Sequence, residues 1–308
     1  MRKVAIIDMG TNTFHLLIVE INGAYQIIHR DRIAVKIGKD GINQSTITVA
    51  AFARALDAMK EFRTTISRFD VDEVIAIGTS ALRNADNQQE VVSQIRQATG
   101  IVPRIISGEE EARYIYLGVR SAVDLGTNAQ LVMDIGGGSI EFIIGNATQI
   151  LWMRSFEIGA QRLLERFHHH DPILSEEIEL LNQHLADHLV PLLQALRKYE
   201  PKVLVGASGS FDTLSEVFAL QQGLGWDATN PEVPLTIDGF KRIYQMLVSK
   251  NRSERMDIPG MIEMRVDMIV VACCVINYLM EHHGFEQVKV STYSLKEGVL
   301  ADLTGAMV

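Results

Sequence analysis

Two segments of the chain share a short pattern of acidic, small and hydroxyl residues. The first reads Asp8-Met-Gly-Thr-Asn-Thr13 and the second Asp134-Ile-Gly-Gly-Gly-Ser139. In each, an apolar stretch ends in Asp, and glycine then lets the chain turn back tightly. Such a turn leaves several backbone N–H groups pointing at one spot, where they can hold a phosphate. The hydroxyls of Thr11, Thr13 and Ser139 can add donors, so the pattern indicates a phosphate site.

Three carboxylates accompany these turns. Asp8 and Asp134 each stand at the end of an apolar strand, and Glu141 lies two residues beyond Ser139. Residues two apart share a strand face, so Glu141 is expected to bind Mg²⁺ or to position water, with a solvated strand residue as the alternative. Mg²⁺ usually takes one or two carboxylates together with substrate phosphates and water. We therefore expect a metal site near Asp8, Asp134 and Glu141.

Three consecutive glutamates, Glu109 to Glu111, stand where the sequence predicts the start of a helix. Ser107 and Glu110 fit a capping box, and acidic residues in general favour a first helical turn. Glu111 is left without a capping role, and its residue type is compatible with a partner of the helix dipole or with a general base. Arg83 follows a strand and could neutralise a phosphate, although a surface salt bridge explains it nearly as well.

The elements around the two patterns repeat as well. The first half predicts three meandering strands, a helix over 47–69, strands over 73–78 and 101–106, a helix that begins near Arg83, and a helix from 108 to about 119. The second half predicts strands near 130–134, 139–145, 148–156, 202–206 and 287–291, and helices over 160–167, 176–199, 211–219, 236–249, 265–281 and 295–303. The first half thus reads β-β-β-α-β-α-β-α, and the second half repeats it.

This order is typical of a ribonuclease-H-like domain with a mixed sheet. We therefore predict an α/β protein with two such domains and an interdomain cleft, because the repeated pattern recurs roughly one domain length apart. The predicted domains are 1–124 and 125–308, with a closing helix at 295–308 able to pack back on the first.

Composition narrows the function classes. The net charge of −9 argues against DNA or RNA as a partner, because nucleic acids recruit basic faces. No stretch approaches the roughly 20 apolar residues of a membrane span, and no signal peptide is expected, so we predict a cytoplasmic protein without a membrane partner. Cys273 and Cys274 are adjacent and are read as reduced, buried residues. A homodimer is compatible with these observations.

Six motifs, in order, resemble those of the exopolyphosphatase/guanosine pentaphosphate phosphohydrolase (Ppx/GppA) family of the actin-like ATPase superfamily. They cover nearly the whole chain: Asp8-Met-Gly-Thr-Asn-Thr-Phe-His15, Gly78-Thr-Ser-Ala-Leu-Arg83, Ile106-Ser-Gly-Glu-Glu-Glu-Ala112, Asp134-Ile-Gly-Gly-Gly-Ser139 with Glu141, Gly206-Ala-Ser-Gly-Ser210, and Leu295-Lys-Glu-Gly298. The resemblance is to a short form of the family, without the C-terminal helical domain of longer relatives.

The resemblance implies a hydrolase that uses Mg²⁺ to release terminal orthophosphate from inorganic polyphosphate, or the 5′-phosphate from guanosine pentaphosphate. It implies Glu111 as the catalytic glutamate, beside Glu141. The phosphate-binding residues that it implies are Gly10, Thr11, Asn12, Thr13, Arg83, Gly136, Gly137, Gly138, Ser139, Ser208, Gly209 and Ser210. A sugar or acetate kinase of the same superfamily and a non-catalytic polyphosphate or alarmone sensor are the rival hypotheses.

Two positions depart from the family pattern. Ile140 stands where a threonine is usual after Gly-Gly-Gly-Ser, which removes a hydroxyl beside the second turn. Lys296 stands where an arginine is usual in the closing motif, which keeps the charge and loses the planar fork. Both changes bear on phosphate affinity and leave the expected chemistry in place.

Overall fold

The first half of the chain folds as one mixed sheet with helices. A computed structural model describes residues 1–227 and 229–305. The elements are β1 (Arg2–Met9), β2 (Phe14–Asn22), β3 (Ala24–Ile33), a 3₁₀ turn (Ile42–Gln44), α1 (Val49–Ile66), β4 (Glu73–Gly78), α2 (Ser80–Arg83), α3 (Gln88–Thr99), β5 (Arg104–Ile105) and α4 (Gly108–Ala122). The strand order is β3-β2-β1-β4-β5. β1 pairs antiparallel with β2 and parallel with β4, as a ribonuclease-H-like sheet requires.

The second half repeats this arrangement with one added strand. Its elements are β6 (Gln130–Ile135), β7 (Ile140–Gly145), β8 (Ile150–Phe156), α5 (Ala160–Phe167), α6 (Ser175–His188), α7 (Val190–Tyr199), β9 (Val203–Ala207), α8 (Ser208–Gln221), β10 (Glu232–Val233), α9 (Ile237–Val248), α10 (Arg252–Met256), α11 (Met268–His282), β11 (Gln287–Ser291) and α12 (Leu295–Thr304). The strand order is β10-β11-β9-β6-β7-β8. The predicted α/β class with two mixed sheets is confirmed.

Strand register places the two repeated aspartates in equivalent positions. Asp8 pairs with His15 across the β1–β2 hairpin, and Asp134 pairs with Glu141 across β6–β7. Directly paired residues project from the same face of a sheet, so Glu141 lies beside Asp134. Both aspartates lie near the carboxyl ends of parallel strand pairs, where open α/β sheets place their ligands.

Helices cover the outer faces of both sheets and also fill the space between them. In the first half, α1 buries Ala51, Met59 and Phe62 against the outer face of the sheet. Helices α4 and α12 lie between the sheets, in a core cluster that includes Ile6 of β1 and Val132 of β6. The outer face of the second sheet packs against α5, α6, α8, α9 and α11. The shared central layer holds the two sheets on opposite sides of one cleft.

The closing helix α12 packs against α4 and touches β1. Residues 306–308, which the sequence assigned to this helix, lie outside the described residues. The boundary between 124 and 125 stays a prediction. Within the described ranges, no helix combines the length and the apolar character needed to cross a bilayer.

Several element predictions were wrong in detail. The helix expected over 176–199 is two helices, α6 and α7, because Pro191 lies in the first turn of α7 and cannot continue a preceding helix. The strand expected over 101–106 is reduced to Arg104–Ile105. Arg83 ends the single turn α2 and does not begin a helix, and α3 follows as a separate element. The short elements β10 and α10 carry too few residues to show a period.

Candidate active site

A cavity of about 580 Å³ lies between the two halves. Three loops line it, here called loop 1 (residues 10–13), loop 2 (residues 136–139) and loop 3 (residues 207–210). Loops 1 and 2 come from opposite halves and touch each other. A Cβ added at Gly137 would lie 2.2 Å from Asn12 Nδ2, and one added at Gly138 would lie 2.4 Å from Ser80 Oγ. These two positions therefore require glycine for the halves to approach as they do.

Most of the predicted site residues line this cavity. They are Asp8, Gly10, Thr11, Asn12, Thr13, Glu111, Asp134, Gly136, Gly137, Gly138, Ser139, Ser208 and Gly209. Three predicted residues, Arg83, Glu141 and Ser210, are not part of its lining. The structure thus brings together residues from four motifs that extend from position 8 to position 209 of the sequence.

Loop 3 reaches the cavity through an unusual backbone conformation. Ser208 has a φ of 69°, in the left-handed region, at the junction between β9 and α8. The Ser208 hydroxyl donates a hydrogen bond of 2.6 Å to Asp134 Oδ2, and the Ser294 hydroxyl donates to the same oxygen. Burial raises the pKa of Asp134, and these two hydroxyls oppose the rise. In this structure the Ser208 hydroxyl therefore binds Asp134 and orients its carboxylate.

Asp8 is the carboxylate that suits a cation best. Unlike Asp134, it accepts no side-chain hydrogen bond within the described part of the chain. Burial raises its pKa to about 7, Lys296 opposes that rise, and Asp134 adds to it. A divalent cation at this carboxylate would remove the electrostatic cost of the buried anion.

A complete metal site made of protein ligands is not present. Among residues 1–227 and 229–305, no three His, Cys, Asp or Glu side chains are arranged to hold a metal ion. Asp8 and Asp134 both line the cavity, but Glu141 does not. A cation beside Asp8 would therefore complete its ligands with substrate oxygens and water, as Mg²⁺ commonly does.

Glu111 lies in the first turns of α4 and points into the cavity. The Ser107 hydroxyl caps the helix by accepting the Glu110 N–H at 3.1 Å, and the Glu110 carboxylate pairs with Arg104. Glu111 makes neither contact, and it is only 7% exposed. Burial raises the pKa of Glu111 to about 7, Arg83 opposes the rise, and the nearby Asp8 contributes to it. A carboxylate with this pKa can accept a proton near neutral pH.

Arg83 lies behind Glu111, outside the cavity lining. Its Nη1 donates to Glu111 Oε2 at 2.8 Å and to the Ile106 carbonyl at 3.2 Å, and its Nη2 donates to Glu157 Oε1 at 2.8 Å. The guanidinium is therefore shared between two carboxylates. A direct contact of Arg83 with phosphate stays a prediction.

Glu141 is buried beside the other carboxylates. It is 1% exposed, and its Oε1 accepts a hydrogen bond of 2.7 Å from the Ser155 hydroxyl. Burial, followed by the charges of Glu111 and Asp134, raises its pKa well above the ordinary value. The surroundings of Glu141 therefore favour its neutral form over the carboxylate.

Sequence reasoning missed several groups in the cavity wall. The buried Oδ1 of Asp212 has no hydrogen-bond partner among residues 1–227 and 229–305, and burial raises the pKa of Asp212 to about 7. Arg265 packs over loop 3, so that a Cβ added at Gly209 would lie 2.0 Å from its Nη2. Lys296 belongs to the closing motif, so the sequence could have indicated its role in the site. Asp212 and Arg265 belong to no motif. His15, the last residue of the first motif, also lines the cavity.

Two ribonuclease-H-like halves around a cleft with three glycine- and hydroxyl-rich loops define a phosphate-handling protein of the actin-like fold. The model of the Ppx/GppA phosphatase family matches residues 17–306, and the chain belongs to this family. It is accordingly an enzyme, a phosphatase that releases phosphate.

Individual relatives agree with this assignment. The chain is 42% identical to an exopolyphosphatase from Cytophaga hutchinsonii of known crystal structure, with a TM-score of 0.96 over 99% of this chain and 98% of that one. It is 28% identical to a putative exopolyphosphatase from Haemophilus influenzae, over 98% of this chain and 91% of that protein. A crystal structure of the Aquifex aeolicus family member is 25% identical, with a TM-score of 0.78 over 98% and 97% of the two chains.

Proposed function

We propose that this phosphatase releases terminal orthophosphate from inorganic polyphosphate by direct attack of water on the terminal phosphorus. One observation carries the proposal: Glu111 lines the same cavity as loops 1, 2 and 3, and burial raises its pKa to about 7. A base with this pKa beside a phosphate cradle can activate water at neutral pH.

The cavity residues have separate roles in this reaction. Glu111 accepts a proton from water as the new O–P bond forms and the bridging P–O bond breaks. The shortened chain leaves with the electron pair of the broken P–O bond, the water oxygen becomes part of the released orthophosphate, and Glu111 then returns its proton to the leaving phosphate or to solvent. Backbone N–H groups and hydroxyls of loops 1 and 2 hold the phosphate oxygens. Arg83 keeps Glu111 in place from behind, across a distance of 2.8 Å.

Mg²⁺, held at Asp8 and Asp134, would neutralise charge on the terminal phosphate. The unbonded carboxylate of Asp8 in the cavity wall supports this assignment. Lys296 and Arg265 add positive charge to the same cavity, although the whole chain has a net charge of −9. A polyanion is therefore attracted locally, within the cleft, by groups that the overall charge does not reveal.

Polyphosphate is the leading substrate because the named relatives from Cytophaga and Haemophilus are called exopolyphosphatases. Guanosine pentaphosphate is the second candidate, since Trp226 and Tyr293 also line the cavity. Aromatic side chains can stack on a purine, which an inorganic chain does not need. The cytoplasmic location and the homodimer stay predictions of the sequence.

Orthophosphate release from the two substrates, measured side by side with and without Mg²⁺, tests this proposal. We expect magnesium-dependent release that favours long-chain polyphosphate. Release from guanosine pentaphosphate alone would keep the mechanism and transfer the substrate to the nucleotide. Binding of both compounds without any release would overturn the proposal and favour a sensor.

A pair of tryptophan variants separates the two substrates further. Trp226→Leu removes the aromatic ring in the cavity wall, whereas Trp152→Leu changes a half-buried tryptophan of β8 outside that wall. If guanosine pentaphosphate is the substrate, Trp226→Leu raises the KM for this nucleotide and Trp152→Leu does not. If polyphosphate is the substrate, both variants hydrolyse it with KM values like that of the unmodified protein.

A further inference from the structure

Glu157 follows β8 in the second half of the chain and reaches across the cleft to the first half. Its Oε2 accepts a hydrogen bond of 2.5 Å from the Ser80 hydroxyl, and its Oε1 accepts one of 2.8 Å from Arg83 Nη2. Both donors belong to the turn α2, directly after β4. No motif in the sequence pointed to Glu157, because its partners lie more than 70 positions away.

One guanidinium therefore connects two carboxylates that belong to opposite halves. Nη2 of Arg83 is held by Glu157, and Nη1 of the same group donates to Glu111 Oε2 at 2.8 Å. The guanidinium is planar and rigid, so fixing one of its nitrogens fixes the direction of the other. The position of Glu157 is in this way transmitted to Glu111, although Glu157 itself does not line the cavity.

We infer that Glu157 is a positioning residue, which orients the proposed base Glu111 through Arg83 only when the two halves of the molecule are together. The inference rests on the proposed function, because it assigns the arrangement of the base in that same site. It makes approach of the halves a condition for a correctly placed base, since neither half alone contains all three residues.

The contact between Glu157 and Arg83 is expected to matter for the position of Glu111 and to contribute little to stability. The Glu157 side chain is 39% exposed, and ion pairs at such positions add little to the stability of a fold. A displacement of a catalytic group by about 1 Å, however, can reduce turnover by about 100-fold. We therefore expect removal of Glu157 to be visible in turnover and hardly visible in stability.

Glu165 provides a matched control. It is also a carboxylate of the second half that reaches the first: its Oε1 accepts the Asp40 N–H at 3.1 Å and its Oε2 accepts Asn43 Nδ2 at 3.0 Å. It has no contact with Arg83, and it does not line the cavity. Glu165 thus contributes to contact between the halves without a connection to Glu111.

Glu157 also contacts Arg162, and the test must separate the effect of that contact. Arg162 Nη2 lies 3.5 Å from Glu157 Oε2, and Arg162 Nε donates to the Gly138 carbonyl of loop 2 at 2.8 Å. Loss of Glu157 could therefore act on loop 2 and weaken phosphate binding. This route would raise KM, whereas misplacement of Glu111 lowers kcat.

The experiment compares steady-state polyphosphate hydrolysis by Glu157→Ala, Glu157→Gln and Glu165→Ala. We expect Glu157→Ala to lower kcat by about 10- to 100-fold with KM within about twofold. Glu157→Gln keeps an oxygen for Arg83 Nη2 and should lose less, and it also replaces Glu157→Ala if that variant does not fold. Glu165→Ala should stay within about twofold of the unmodified protein in kcat.

A double-mutant cycle identifies the route. In a protein that already carries Arg83→Met, adding Glu157→Ala should change kcat by no more than about twofold, because the connection is already broken. Full, additive losses would show that Glu157 acts independently of Arg83 and would overturn the inference. Equal losses of kcat in Glu157→Ala and Glu165→Ala would overturn it as well, because contact between the halves would then be the whole effect.

The activity of the unmodified protein separates failure of the proposed function from failure of the positioning inference. If it releases no orthophosphate from polyphosphate, the proposed function fails. If it is active and Glu157→Ala equals it in kcat, the positioning inference alone fails.

Discussion

Buried carboxylates set the chemistry of the cavity. Asp8, Glu111, Asp134 and Glu141 all have raised pKa values, and burial is the first cause in each case. They also repel one another, which adds to the effect. Arg83 forms an ion pair with one of these four carboxylates, Glu111. The cluster therefore favours protons or cations in the cleft.

The pH dependence of turnover follows from Glu111. Its pKa is raised to about 7, so the carboxylate that must accept a proton is lost as pH falls through about 7. We expect kcat/KM for orthophosphate release, which reports groups of the free enzyme, to fall about tenfold for each pH unit below that point. Measurement of kcat/KM from about pH 5 to about pH 9, with circular dichroism as a control for folding, checks this. A kcat/KM that stays constant down to about pH 5 would contradict it.

The sequence predicted those residues that belong to a repeated local pattern. Asp8, Asp134 and the glycines of loops 1 and 2 were found because strand, Asp and turn recur together. Glu157 and Asp212 were not found, since their surroundings are made by chain segments that are distant in sequence. Burial, which raises the pKa of Asp212, is a tertiary property that no local period reports.

At the scale of elements, the crossing of α4 and α12 is the tightest contact in the central layer. A Cβ added at Gly298 would lie 1.7 Å from the Tyr114 carbonyl oxygen, and one added at Gly118 would lie 2.0 Å from the Ser294 carbonyl oxygen. Both obstacles are backbone atoms, which cannot rotate away. The two glycines let the helix backbones touch, and this explains the glycine of the closing motif.

Gly298→Ala is therefore expected to destabilise the protein. The methyl group forces two helices apart, at a cost of about 3 kcal/mol, which outweighs the roughly 1 kcal/mol that alanine gains over glycine inside a helix. Urea unfolding measures the difference. Gly284→Ala, at an exposed position with no atom within 4 Å of the added Cβ, is the control and should change the free energy of unfolding by less than about 0.5 kcal/mol. Equal free energies of unfolding for the two variants would contradict the claim that the crossing of α4 and α12 requires glycine at position 298.

Element types were predictable where the period was long enough. The helix α1 and the strands β4 and β11 were found at nearly their observed bounds. The division between α6 and α7 was missed although Pro191 signals it. The two-residue strand β5 exists through its pairing with β4, which a sequence period cannot show.

The whole molecule is a pair of similar halves whose phosphate loops meet. Gly138 of loop 2 lies against Ser80 and Thr11 of the first half, and Glu157 and Glu165 add contacts across the same boundary. The fold class was predictable because the duplication is visible in the sequence. The closeness of the halves was not, since it depends on pairs of residues from separate motifs.

Gly138→Ala tests this arrangement. The added Cβ would lie 2.4 Å from Ser80 Oγ and 2.8 Å from Ser80 Cβ, and because rotation of the hydroxyl does not move the Cβ, we expect the two halves to shift apart to admit it. We expect a larger radius of gyration in small-angle X-ray scattering and a loss of roughly 100-fold in kcat/KM. Gly284→Ala again serves as the control. A variant with unchanged scattering and unchanged kinetics would show that the loops do not need this contact.

The most direct test of the account is Glu111→Gln, with binding and turnover measured on the same preparation. Removal of a general base typically costs about 10²- to 10⁴-fold in rate, whereas the loops that hold phosphate remain intact. We predict that Glu111→Gln binds long-chain polyphosphate as the unmodified protein does and releases orthophosphate at least about 100-fold more slowly. Near-normal release by this variant would contradict the central claim that Glu111 activates the attacking water.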